Sequence, residues 1–288
     1  MKRLAIIGPG KVGRTLARLF HDAGVFEIRA LVSRSAETAA EAAAFIGAGQ
    51  VNGDPADADI ILMAVPDPEL AQALARLALC DLKPGTIIAH TSGALGPEVF
   101  APLAGLPVRC ACAHPVKAFS DPARSVGTFA GTMTTLQGVT PACDELREAF
   151  AAIGGKTLVL ADDTDRTLYH AAIVFMANHL PTLVQAGLET FEQVGLSRED
   201  GLAISGPILR DTLEAVLERG PAAALTGPVA RGDAETVSRH LESLNAIDGD
   251  LGALYAALAR ATADLSAEKG EASVEGLLAI RELTTPKT

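Results

Sequence analysis

The residues Gly8-Pro9-Gly10-Lys11-Val12-Gly13 form a G-x-G-x-x-G run. The run follows a short apolar strand and opens a helical period, the context in which this motif cradles a dinucleotide pyrophosphate. Gly8 permits the tight turn, Gly10 lets the backbone approach the phosphates, and Gly13 lets the helix pack close to the strand. The helix start adds free N–H groups and the positive end of its dipole. About 20 residues further on, an NAD site places an Asp or Glu against the ribose 2′-OH. Here the chain reads Ser33-Arg34-Ser35, with no carboxylate. Arg34 and the two serines can donate to a 2′-phosphate, with the guanidinium able to fork two bonds. The expected cofactor is therefore NADP(H). Val65 and Pro66, at the end of the apolar run that begins at Asp59, complete the expected cofactor-binding set.

A second group of residues could handle a proton and an acidic substrate. His114-Pro115 closes an apparent strand, and ligands of parallel sheets bind outside the carboxyl ends of strands. A histidine there can give or take a proton near neutral pH. Lys117 follows closely and could pair with an acid group. His90-Thr91-Ser92-Gly93 ends another strand, and Ser92 could hold a substrate carboxylate. An apolar stretch then carries Tyr169-His170 and Asn178-His179-Leu180-Pro181. Being apolar almost all round, it is expected to be buried. His170 and His179 are nine residues apart, about 900° of helical rotation, so a straight helix puts them on opposite faces. Pro181 invites a kink beside Asn178. Arg231 sits in Thr226-Gly-Pro-Val-Ala-Arg-Gly-Asp233, a constrained turn that would suit an anchor for a substrate acid group. The expected catalytic set is His114, Asn178 and Lys117; the expected substrate-binding set is Ser92, Arg231 and His170.

The elements that must position these residues follow from periodicity. Segments 3–8, 27–33, 59–65, 86–90, 108–113 and 156–160 read as strands. Helical periods over 11–23 and 36–45, and a helix opening near Pro68, lie between the first of them. Near-continuous apolar strands alternating with helices predict an α/β fold, a doubly wound parallel sheet of Rossmann type. From Asp163 onward the pattern is helical, over about 164–194, 198–219, 233–246, 248–268 and 273–283. Gly154-Gly155 marks the expected boundary, giving a cofactor domain over 1–155 and an all-helical substrate and dimerisation domain over 156–288.

Composition bounds the rest. The chain has 288 residues, 49% hydrophobic and 20% charged, and a formal net charge of −11. An acidic chain repels phosphate backbones, which disfavours nucleic acid as a partner. No uninterrupted apolar run approaches the roughly 18 residues of a membrane span, and the apolar run after Met1-Lys2-Arg3 is too short for a signal peptide, so a cytoplasmic protein without a membrane partner is expected. Cys80, Cys110, Cys112 and Cys143 are too few for a disulfide scaffold and are expected to be inert. Cys110 and Cys112 alone make a poor zinc site, so no metal is expected. No Tyr-x-x-x-Lys occurs, which removes the short-chain dehydrogenase mechanism.

The sequence resembles Rossmann-like proteins that carry a DUF2520 C-terminal domain. The resemblance covers nearly the whole chain and rests on Gly8 to Gly13, His114-Pro115, Tyr169-His170 through Asn178-His179, and Thr226 to Asp233. It implies an NADP oxidoreductase. More distantly the chain looks like prephenate dehydrogenases, pyrroline-5-carboxylate reductases and 6-phosphogluconate-type dehydrogenases, which share a Rossmann domain followed by a helical one. His114-Pro115 matches the catalytic His-Pro of prephenate dehydrogenases, whereas Asn178 and Thr182 stand where their helix motif has Ser and His. The helix lysine of the 6-phosphogluconate-type enzymes has no counterpart, since no Lys lies between 157 and 268. The resemblance implies a homodimer built by the helical domain and an NADPH-dependent reductase of a small oxo acid or imino acid, with a ketopantoate-like 2-oxo acid as one class. Two alternatives stay open: a reductase that uses the deazaflavin F420, and a non-catalytic NADP(H) sensor whose helical domain binds a partner.

Overall fold

The computed structural model describes residues 1–286. It divides into two compact units, Met1–Met176 and Ala177–Thr288. The first is built on β1 (Lys2–Ile7), α1 (Lys11–Asp22), β2 (Phe26–Val32), α2 (Ala36–Ile46), β3 (Gln50–Val51), β4 (Ile60–Met63), α3 (Asp67–Leu77), β5 (Ile87–His90), β6 (Arg109–Pro115), α4 (Pro122–Gly127), β7 (Met133–Gly138), α5 (Thr140–Ala152), β8 (Lys156–Val159) and α6 (Arg166–Ile173). The strands form one sheet in the order β3-β2-β1-β4-β5-β6-β7-β8. This is the Rossmann-like sheet that the alternating pattern predicts.

The central strands are apolar on both faces because both faces are covered. Alternate residues serve opposite cores: Leu4, Ile6, Ile60 and Leu62 pack with Leu16, Phe20 and Phe150, whereas Ala5, Ile61 and Met63 pack with Leu70, Leu74 and Ile88. Truncating a fully buried leucine such as Leu74 to alanine would cost about 2–5 kcal/mol.

All pairings are parallel except β6 with β7, which run antiparallel with His114 opposite Thr135 and Pro115 opposite Thr134. The sequence reading lacks β7, and its strand 108–113 stops one residue before His114. The reason is composition. Met-Thr-Thr-Leu-Gln-Gly has no apolar run, yet Thr134, Thr135 and Gln137 are buried. Gln137 donates to the carbonyls of Ala161 and Asp162, which ties down the chain leaving β8. The first unit therefore extends past the expected boundary at 155. β8 belongs to its sheet through β7, and α6 is pinned to it by Arg166 and Tyr169.

The second unit contains α7 (Leu180–Gln193), α8 (Arg198–Arg219), α9 (Pro221–Ala224), α10 (Ala234–Ile247), α11 (Gly249–Lys269) and α12 (Val274–Thr284). These follow the expected helical stretches closely. Ser197 and Asp200 form a reciprocal capping box at the start of α8, and Asp233 caps α10. A small core joins Val237 and Leu241 of α10 to Ala259 and Ala263 of α11 and Leu277 and Ile280 of α12.

The expected long, buried helix is neither continuous nor buried. It is α6, then a π turn over Val174–Asn178, then α7 with Pro181 in its first turn. The break lies beside Asn178, where the proline invites it. Only 6% of its most apolar window is buried, and Met176 is 77% exposed. A single chain therefore leaves much of this apolar surface uncovered. The segment Arg166–Gln193 contains an 18-residue window of mean hydropathy 1.3, which reaches the length and composition of a membrane span. Counting uninterrupted apolar runs misses this, because His170, Asn178 and His179 interrupt each run.

Candidate functional site

The glycine turn joins β1 to α1 as the motif requires. Gly8 has φ +85, and a Cβ there would lie 2.7 Å from Val65 Cγ1 and 2.8 Å from the Ala64 backbone. A Cβ on Gly13 would stand 2.6 Å from the Gly8 carbonyl oxygen. A Cβ on Gly10 would meet nothing within 4 Å, so this backbone faces open space. Gly10 caps α1 without a side-chain bond, which leaves the first N–H groups of the helix for an anion. Val12 turns its side chain to the core, Lys11 is exposed, and the Pro9 carbonyl accepts from Arg14 Nε.

A cavity of about 480 Å³ is lined by Pro9 and Gly10 of this turn, by Ser33 and Arg34 after β2, and by Val65 and Pro66 after β4. Ser33 is held by its N–H, which donates to Asn52 Oδ1. Ser35 is absent from the lining; its hydroxyl caps α2 by accepting from Thr38 N. Arg34 Nη2 lies 3.0 Å from Glu69 Oε1 in the first turn of α3. An open backbone cradle, an uncapped helix start and an apolar-walled cavity ending in a guanidinium fit the adenosine diphosphate part of a dinucleotide.

A second cluster lies at the carboxyl edge of β5 and β6. His114 Nδ1 is 3.2 Å from the hydroxyl of Tyr169, and that hydroxyl is 2.9 Å from Thr135 Oγ1. The His170 ring stands 6.0 Å from that of His114. Gly93 closes over both: a Cβ there would lie 2.6 Å from His170 Cδ2 and 2.9 Å from His114 Nε2. Arg166 is 4% exposed, and its guanidinium stands 5.1 Å from the centre of the Tyr169 ring. Its Nη2 donates to the Ser92 carbonyl, while Nε and Nη1 have no hydrogen-bond partner among the described residues. His90 is also fully buried with neither ring nitrogen bonded among them.

Burial pushes His114 down to about 4, and its electrostatic interactions with Arg166 and His170 push the same way. Burial and Arg166 likewise hold His90 at about 4. Both imidazoles are therefore neutral at neutral pH. A neutral imidazole can relay a proton, taking it on one nitrogen while giving it from the other, but it is not a standing reserve of acid. Burial also holds the Cys110 and Cys112 thiols up, at about 11 and about 12, which disfavours their reactive thiolates.

The structure thus gathers His114 and His170 with the Ser92 backbone. The Ser92 hydroxyl itself accepts from Ala94 N and Leu95 N and shapes the turn. Lys117 Nζ donates to the Thr128 carbonyl within the β6–β7 connection. Asn178 and Arg231 belong to the second unit. Asn178 ends the π turn, exposed rather than in the buried helix expected of it. Arg231 is exposed on the turn Val229–Arg231, which Gly232 closes with φ +71. The sequence reading did not name Arg166 or Thr135, and it named His90 and Tyr169 only within the motifs His90-Thr91-Ser92-Gly93 and Tyr169-His170, without giving either a role. Arg166, Tyr169 and His170 have the i, i+3, i+4 spacing of one helix face, a signal available in the sequence.

Two family models match the chain: a Rossmann-like domain over residues 2–115 and the Domain of unknown function (DUF2520) over residues 132–262. Among curated proteins none matches the sequence. Solved structures match along nearly the whole chain. The “putative NADP oxidoreductase BF3122” of Bacteroides fragilis shares 23% identity and a TM-score of 0.75, covering 91% of this chain and 98% of that one. Protein TM1727 of Thermotoga maritima shares 22% identity and a TM-score of 0.70, covering 93% and 99%. A pyrroline-5-carboxylate reductase of Coxiella burnetii shares 17% identity and a TM-score of 0.59, covering 99% of both chains. These likenesses describe the fold.

Proposed function

We propose that this chain, a Rossmann-like domain followed by a DUF2520 domain, is an NADP-dependent oxidoreductase acting on a small oxo acid or imino acid. One observation carries the reading: the sheet that presents the Gly8–Gly13 cradle also presents the His114–Tyr169–Thr135 cluster at its carboxyl edge. The names of the Bacteroides fragilis and Coxiella burnetii proteins support the cofactor and the reduction of a carbon–nitrogen double bond. When bound, NADPH supplies a hydride.

The chain's own residues bind and move protons. Gly8, Gly10 and the start of α1 hold the pyrophosphate, and Ser33 and Arg34 hold the 2′-phosphate. The Tyr169 hydroxyl donates a proton to the oxygen or nitrogen of the substrate's double bond. Thr135 and His114 orient that hydroxyl, and His114 restores its proton from Nδ1 while taking one from solvent water at Nε2. The missing side chain of Gly93 leaves room at that nitrogen. The Lys117 ammonium is engaged by the Thr128 carbonyl and takes no part. A second copy of the chain covers the apolar face of the π turn, α7 and α8, making a homodimer.

A panel of 2-oxo acids and cyclic and acyclic imino acids, with NADPH oxidation followed by absorbance, tests the reading. Turnover of one class that is lost in Gly10→Asp supports it. The absence of turnover across the panel, together with no binding of NADPH, would overturn it.

A further inference from the structure

We propose that Glu69 sets how strongly the chain discriminates the 2′-phosphorylated dinucleotide from the 2′-hydroxyl form, by holding Arg34 in an ion pair that the phosphate must open. The inference rests on the reading that the cavity takes a nicotinamide dinucleotide. Both residues line that cavity. They reach it from different elements, Arg34 from the turn after β2 and Glu69 from the first turn of α3. Among the described residues Arg34 forms no other ion pair.

The competition follows from charge and exposure. The Arg34 side chain is 78% exposed and that of Glu69 is 34% exposed. An exposed pair of this kind is weak and opens readily. A phosphate brings more charge and more acceptor oxygens than a carboxylate, so it takes the guanidinium from Glu69. The freed carboxylate then remains on the wall of the same cavity as the phosphate, where like charges repel. Glu69 therefore disfavours the phosphorylated form twice, once by occupying Arg34 and once by its own charge. A 2′-hydroxyl ribose meets neither penalty. The carboxylate missing from the end of β2 is thus present across the cavity, but bound to a cation.

Calorimetric titration with adenosine 2′,5′-bisphosphate and with 5′-AMP tests this without turnover. Glu69→Gln should tighten the bisphosphate by about two- to fivefold, the range of an exposed ion pair, and leave 5′-AMP within twofold. In an Arg34→Ala background the same change should gain less than twofold. Glu145→Gln removes one charge at the opposite edge of the sheet, where Glu145 pairs with Lys2, and should change neither affinity. Unchanged or weaker bisphosphate binding in Glu69→Gln would overturn the role of Glu69. So would a loss of 5′-AMP affinity beyond twofold, which would mean that the carboxylate serves the 2′-hydroxyl. An equal gain in Glu145→Gln or without Arg34 would also overturn it. If the folded wild type binds neither probe, the cavity's reading falls as well; if it binds the bisphosphate and Glu69→Gln is silent, only the role of Glu69 falls.

Discussion

The hydroxyl of Tyr169, on α6, lies 3.2 Å from Nδ1 of His114, on β6, and also reaches Thr135 on β7. A helix beyond the sheet thereby completes the hydrogen-bonded chain through which the proposed proton transfer runs. His114→Asn and Tyr169→Phe should each lower turnover by about 10²–10⁴, the range for general acid–base catalysis. Affinity for NADPH should stay within a few-fold, since the proposed phosphate-binding residues lie in the turn between β1 and α1, at the start of α1 and in the turn after β2. Turnover within a few-fold of wild type in a well-folded Tyr169→Phe protein would remove the hydroxyl from the path.

Acid should weaken the fold before Asp57 titrates. His90 and His114 stand at about 4 in the fold against an ordinary 6.5. Between those values the unfolded chain binds more protons than the folded one, so stability falls as pH falls from about 6.5 to 4. Each histidine contributes on the order of 3 kcal/mol at most. Hydrogen bonds from Arg29 and Lys83 hold Asp57 at about 2, so it titrates below that window. Urea midpoints at pH 7 and 4.5 should differ clearly in the wild type and much less in a His90→Asn, His114→Asn double variant. An equal difference in both proteins would show that other groups carry the effect.

Gly93 is set against two rings rather than in a strained turn. An added methyl would stand 2.6 Å from His170 Cδ2 and 2.8 Å from His114 Cε1. Gly93→Ala should therefore cost about 1–3 kcal/mol through overpacking and displace the His114 ring. The melting temperature should drop by several degrees, with turnover falling further than the loss of folded protein explains. An unchanged melting temperature would mean that the rings move aside freely.

The exposed apolar face of α8 offers a test of the dimer. Ile208 is 63% exposed and Leu213 is 53% exposed. Light scattering of the wild type should give twice the 29.6 kDa chain mass. An Ile208→Glu, Leu213→Glu variant should shift toward the monomer at micromolar concentration. A wild type that is monomeric at that concentration would rule out the proposed assembly.

How much of this was legible in the sequence depended on where the apolar residues lie. The buried runs Ile60 to Met63 and Ile87 to Ala89, with the glycines before α1, identified the sheet and its cradle because two-sided burial leaves a continuous apolar signature. β7 left no such mark, since its buried threonines and glutamine look like a loop. Without β7 nothing pointed to Thr135, and the strand expected over 156–160 had no visible partner to show that α6 returns to the sheet. Arg166 was passed over, although its spacing from Tyr169 and His170 put it on their helix face, for a related reason. A charged residue in the first turn of a helix is usually solvated, and only the fold reveals one held under a tyrosine ring and against the Ser92 carbonyl.

The antiparallel pairing of β6 with β7 has a consequence for how the chain tolerates change. His114 and Thr135 are direct partners across that pair, so their side chains share a face. A slip of one residue would bring Thr134 or Leu136 opposite His114 and turn Thr135 to the other side of the sheet. The Tyr169 hydroxyl would lose an anchor although both strands remained formed. Strand alignment at the sheet's only antiparallel joint, among the described residues, thus works as a combination lock for the proton path. Length changes in the stretch 116–132 are harmless only when they leave that alignment untouched.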